Sequence, residues 1–138
     1  MNHYDILRSK ILLVSALAFI SMTSVALAED ALTAQQQGDI RYITGGIGTD
    51  ERDQLEVAKS DYNFHLTSAK SDGAFTDNTT ITLTDRKGTS VLSAEAGPIF
   101  FAQLPAGTYT LNATHGSQSQ TKTVKIGKGA TNTNLFWK

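Results

Sequence analysis

The stretch Leu104-Pro105-Ala106-Gly107-Thr108-Tyr109-Thr110-Leu111 most limits what this chain can fold into. Pro105 fixes φ for a turn and Gly107 admits a positive φ. The residues that follow alternate with period two. Tyr109, Leu111 and Ala113 fall on one strand face, and Thr108, Thr110, Asn112 and Thr114 on the other. A strand with one apolar and one wet face needs a core that other strands complete. Such strands are present at Tyr62 to Thr67, Thr80 to Thr84, Thr89 to Ala94, Ile99 to Leu104, Gln118 to Ile126 and Thr131 to Trp137. The breaks between them include Asp85-Arg86-Lys87-Gly88, Gly97-Pro98, His115-Gly116-Ser117 and Gly127-Lys128-Gly129. With the strand at Thr108 to Thr114, this spacing predicts a seven-stranded antiparallel β-sandwich over residues 62–138. No crossover helix lies between the strands, which argues against parallel pairing.

The first 28 residues read as a cleaved signal peptide. Arg8 and Lys10 give a positive start, Ile11 to Ile20 is an apolar run, and Ala26-Leu27-Ala28 places small residues at the cleavage point. The apolar run falls short of the roughly 20 residues that a membrane span needs. The expected mature chain starts at Glu29 and is periplasmic or secreted, with no membrane span after cleavage. Its 110 residues suffice for one domain. Without the signal segment the chain carries 10 basic and 12 acidic residues, which argues against nucleic acid and anionic membranes as partners. The chain has no cysteine, so packing alone must hold the fold.

Between the signal and the sandwich, residues 29–61 read as a lead-in, a glycine-rich loop and a helix. Glu29 to Arg41 has few large apolar side chains and is expected to be loosely ordered. Thr49 to Ser60 predicts a short helix, with Asp50, Glu51 and Asp53 at its positive end and Leu55, Ala58 and Tyr62 on its inward stripe.

The turn at Gly88, the strand Ile99-Phe100-Phe101-Ala102-Gln103-Leu104, the Pro105-Ala106-Gly107-Thr108-Tyr109 corner and the late strand Val124 to Ile126 resemble the carboxypeptidase regulatory-like domain family. The likeness covers roughly residues 62–137. It departs from the family pattern at Ile99, which stands where members carry the first aromatic residue before the corner. The resemblance implies a transthyretin-like Greek-key sandwich of the carbohydrate-binding-like kind, used as a non-catalytic accessory module. The expected partner is an envelope protein or, as the alternative, a cell-wall glycan bound by exposed rings such as Phe100 or Tyr42.

The sequence offers four candidate binding residues: Tyr42, Gly45, Gly46 and Phe100. Gly45-Gly46-Ile47-Gly48 precedes a helix, as phosphate loops do, but no Lys-Ser/Thr pair follows and the acidic first turn opposes an anion. A tight loop that lets the helix lie on the sandwich is the simpler reading. Strand alternation sends Phe101 inward and Phe100 outward, and it separates Phe136 from Leu135 and Trp137. The segment 42–60 is the expected cover for Phe100 and Phe136. No cofactor, metal or catalytic residue is expected: His65 and His115 read as solvated, and no serine lies in a nucleophile elbow. Lys70, Asn134 and an acid such as Asp85 or Glu95 are one conceivable set for an intramolecular isopeptide bond.

Overall fold

The computed structural model describes residues 32–138. The expected signal segment lies outside them. The elements in chain order are β1 (Gln35–Gln37), β2 (Ile40–Gly45), α1 (Thr49–Ala58), a 3₁₀ turn (Lys59–Asp61), β3 (Phe64–Lys70), β4 (Thr79–Thr84), β5 (Ser90–Ala96), β6 (Ile99–Gln103), β7 (Gly107–His115), β8 (Gln118–Ile126) and β9 (Thr131–Trp137). They build a five-stranded sheet in the order β1-β2-β6-β3-β9 and a four-stranded sheet in the order β5-β4-β7-β8.

The main core lies between the sheets. Tyr42, Phe64, Leu66, Phe100, Ala102, Leu135 and Trp137 from the first sheet meet Ile81, Leu83, Leu92, Leu111, Ala113 and Val124 from the second. The PAG-x-Y corner ties one end of this core: the Tyr109 hydroxyl donates to the Pro105 carbonyl at 2.6 Å, and Gly107 holds φ 155. Burial, then the Asp85 carboxylate, push the Tyr109 hydroxyl above its ordinary pKa. A buried polar knot ties the other end. Ser68 Oγ accepts from Trp137 Nε1 at 2.8 Å and shares a hydrogen bond with Thr76 Oγ1 at 2.8 Å.

Three expectations are corrected. The strands number nine, because the lead-in contains the β1–β2 hairpin. Gly38, at φ 57, takes the first position of its two-residue turn, where a primed hairpin turn calls for glycine. Ile40 and Tyr42 then alternate into the core, too few apolar residues to read as a strand in a glutamine-rich stretch. The pairing is not wholly antiparallel either, since β9 runs parallel to β3 from Phe64↔Thr131 to Lys70↔Trp137. The chain between β3 and β9 runs through β4, β5, β7 and β8 of the opposite sheet and β6 of the same one, so no helix announces the parallel pair. The faces of β6 are the reverse of those expected. Phe100 is paired with Leu66 and fully buried in the main core, whereas Phe101 points to the outer face. Both faces of β6 are apolar, so period two alone could not orient it.

Phe101 is nevertheless buried, because α1 covers it. Leu55 of α1, Ile43, Phe101 and Tyr62 form a second apolar cluster outside the five-stranded sheet, with Leu32, Ala58 and Ile99 packed against it. The open edges are sealed by side chains. Gln37 imitates a neighbouring strand on β5, donating Nε2 to Ser93 O at 2.8 Å and accepting Ser93 N–H at Oε1 at 2.9 Å. Gln120 and Lys122 of β8 donate to the Phe136 and Asn134 carbonyls of β9 at 2.7 and 2.8 Å. Edges treated in this way resist uncontrolled strand addition.

Candidate functional site

The glycine-rich loop is clamped by the helix it precedes. Gly46, at φ 106, donates its N–H to Glu51 Oε1 at 2.9 Å. Arg52 Nη1 donates to the Gly46 and Ile47 carbonyls at 2.9 and 3.1 Å. The Gly46 N–H is therefore spent on a carboxylate of the same chain. Close packing explains the glycines. A Cβ at Gly97 would stand 2.9 Å from the Gly45 carbonyl oxygen, and one at Gly46 would stand 3.1 Å from Ile99. Beside the loop is a cleft of about 400 Å³ whose lining includes Glu51, Asp77 and Glu95. Three carboxylates with no basic side chain in the lining would repel a phosphate.

Tyr42 and Phe100 are not at the surface. Tyr42 lies in the main core and Phe100 is fully buried, their rings stacked at 5.5 Å. The Tyr42 hydroxyl reaches Gln35 Oε1 at 3.3 Å. Neither ring offers a face to a sugar. Of the four candidates from the sequence, Gly45 and Gly46 shape the loop, while Tyr42 and Phe100 hold the core against which the loop is anchored.

His65 is corrected from solvated to buried. Its Nε2 faces two backbone carbonyls, Tyr62 O at 2.9 Å and Lys59 O at 3.2 Å, while its Nδ1 faces the Asn132 Oδ1 at 3.0 Å. The ring packs edge-on against Phe101 at 4.8 Å. His65 thus pins the end of α1 to β3 and β9. Its edge lines a polar cleft of about 640 Å³ that also involves Glu56, Lys59, Asn63 and the 127–130 loop. The Asn63 amide is committed, accepting from Leu104 N–H and donating to Leu104 O, both at 2.8 Å. His115 is half-buried over Trp137, with ring centroids 5.5 Å apart. The structure does not assemble the isopeptide set. Lys70 pairs with Trp137 and Asn134 with Thr67, three register positions away, or roughly 10 Å along the strands. Among the described residues there is no group of three or more His, Cys, Asp or Glu placed to hold a metal.

What stands open on the outer face of the five-stranded sheet lies outside the apolar cluster under α1. Phe136 is 60% exposed and Phe75 44%. Alternation of Leu135, Phe136 and Trp137 foreshadowed the first, although the segment 42–60 does not cover it. Nothing in the sequence pointed to Phe75, which sits in the segment between β3 and β4 and is carried to the sheet by a single bridge to Ala69. Arg52 of α1 lies over its ring, 5.5 Å from the centroid.

The chain matches no protein-family model, and no curated protein matches it. No helix among the described residues is long and apolar enough to cross a membrane.

Proposed function

We propose that this protein is a non-enzymatic binding or accessory module of the cell envelope, periplasmic or secreted after cleavage before Glu29, built on a transthyretin-like sandwich of the carboxypeptidase regulatory-like kind. The observation that carries the reading is the contrast on the outer face of the five-stranded sheet. Half of it is covered by α1 through Leu55, Phe101 and Tyr62, while two phenylalanines stand exposed on the other half. A chain that shields Phe101 and Ile43 yet leaves Phe75 and Phe136 open keeps that half for contact. The tied ends and sealed edges supply the rigid support that a binding face needs.

A cell-wall glycan is the second reading. The exposed rings favour it, since an aromatic face presents a flat apolar surface beside polar groups. Phe100, the earlier candidate for that role, is excluded by its burial.

The test is photo-crosslinking in intact cells from position 136, with position 82 on the four-stranded sheet as the control. Capture of a recurrent envelope protein or wall fragment from 136 and not from 82 is expected. Equal capture from both positions, or none from 136, would refute the reading. N-terminal sequencing of the recovered protein is expected to begin at Glu29.

A further inference from the structure

The two seams between the sheets are closed unequally. Where β8 meets the C-terminal strand, the side chains of Gln118, Gln120, Lys122 and Thr131 all hydrogen-bond backbone across the seam. Where β5, the edge of the four-stranded sheet, faces β1, Gln37 alone among the described residues of the five-stranded sheet hydrogen-bonds a β5 residue. Its carboxamide has the C=O and N–H of a peptide group. It meets the Ser93 N–H and C=O at 2.9 and 2.8 Å, the pair of bonds that one residue of an added antiparallel strand makes. Residues two apart on a strand turn their backbone groups the same way, so the N–H and C=O of Glu95 face the same side as those of Ser93. Beside Gln37 lies a cleft of about 280 Å³ whose walls include Ile40, Val91, Pro105 and Tyr109. Val91 packs against the main core where the β4–β5 register shifts.

We propose that the β5 edge is a docking site for an extended peptide segment of a partner protein, and that Gln37 stands in that segment's place until it arrives. The segment adds as a strand. One of its residues takes the two bonds to Ser93 that Gln37 makes, a residue two along pairs with Glu95, and an aliphatic side chain on the Val91 side enters the cleft. The backbone groups of the edge decide the class of occupant, since a polypeptide chain is what matches them in type and spacing. Asp39 in the cleft wall and Glu95 on the edge, with no basic side chain in that wall, favour a neutral or basic segment over an acidic one. A second copy of this chain fits poorly: Leu92 and Ala96 of its own β5 are buried in its own core and leave nothing for the cleft. The occupant is therefore a segment that is unpaired in its own protein, such as a tail or a linker. A single polar side chain on a three-residue strand is a seal that such a segment can displace.

This site lies at a seam and not on the outer face of the five-stranded sheet, so it and the contact face around Phe136 can fail separately. The probe is a set of linear heptapeptides selected from a random library on the immobilised mature protein, with binding followed by fluorescence anisotropy and backbone amide NMR shifts. The selected peptides should shift the amides of residues 37–40, 91, 93 and 95. Gln37→Ala should strengthen their binding about tenfold, because the two bonds that compete for Ser93 are gone. That sign separates a stand-in from an ordinary contact residue, whose loss weakens binding. Ser93→Pro removes the N–H that an added strand needs, at an edge where proline is tolerated, and should weaken binding about tenfold or more. N-methylation of the peptide should abolish binding at one alternate set of residues and not at the other, which keeps the test decisive if Ser93→Pro fails to give a dispersed spectrum. No peptide selected at this edge, binding unchanged or weakened in Gln37→Ala, or binding indifferent to N-methylation would overturn the proposal. A wild-type dimer that Ser93→Pro abolishes would overturn it in favour of a second copy. Capture from position 136 with no peptide at the β5 edge leaves the outer-face reading standing and removes this site.

Discussion

The two sheets treat their outer faces in opposite ways. The four-stranded sheet turns outward Thr80, Thr82 and Thr84 of β4, Thr108, Thr110, Asn112 and Thr114 of β7, and Ser119, Thr121 and Thr123 of β8, in aligned rows set by the register. These side chains suit both the strand backbone and water, and they need no cover. The five-stranded sheet turns outward Ile43, Ile99 and Phe101, which do need one, and α1 supplies it. The same face then leaves Phe136 exposed, and Phe75 partly so beneath Arg52. A hydroxyl-rich face explains itself by solubility. A face with large apolar groups, half of it covered, points to contact with something else.

The largest effect that can break this comparison comes from truncating the covered ring. Phe101→Ala is expected to lower stability by about 3–5 kcal/mol, measured by denaturant unfolding, even though Phe101 is on an outer face. A loss below about 1 kcal/mol, of the kind expected for Thr82→Ala, would show that α1 is not a real cover. Leu55→Ala attacks the cover instead and should cost about 2–3 kcal/mol. Hydrogen exchange is expected to accelerate in residues 49–61 while β4 and β7 keep their protection. Uniform loss of protection would mean that α1 and the sandwich unfold as one unit. Gln37→Ala removes the strand-like cap on Ser93 and should cost about 1 kcal/mol, with a rise in concentration-dependent association on sedimentation.

A control on the inner face comes from Tyr109. Its folded pKa lies above the ordinary 10.0, so the folded state holds the phenolic proton more tightly than the unfolded chain. The resulting stability is complete below pH 10 and is lost as pH rises through the folded value, where the hydrogen bond to Pro105 goes with the proton. Tyr109→Phe should flatten that alkaline fall in the melting temperature. An unchanged alkaline limb would contradict the account. The smallest effect on stability is expected at Phe136. Phe136→Ala should alter it by no more than about 0.5 kcal/mol while abolishing contact from that face.

The sequence made the sandwich legible because most of its strands have one dry and one wet face, as β7 does from Tyr109 to Thr114. It failed where both faces are dry or where the dry residues are few. β6 has Phe100 and Ala102 on one side and Ile99 and Phe101 on the other, so alternation carried no sign of direction. Ile40 and Tyr42 gave the β1–β2 hairpin only two inward residues in a polar stretch. His65 occupied a position that alternation marked as wet, and it is held by the Tyr62 and Lys59 carbonyls, Asn132 and Phe101, contacts that strand alternation does not encode. The candidate site was half legible. Phe136 followed from its neighbours Leu135 and Trp137, but Phe75 depends on a single bridge that no local pattern encodes. The glycine loop drew notice as a ligand loop, yet its glycines serve the close approach of Gly45 and Gly97.

The most direct test of the contact face is hydroxyl-radical footprinting in intact cells compared with the purified protein. Ile47 and Val57, exposed at 54% and 82%, serve as internal references. The account predicts that Phe75 and Phe136 are protected in the cell while Ile47 and Val57 are modified equally in both settings. Phenylalanines as reactive in the cell as in solution would contradict it.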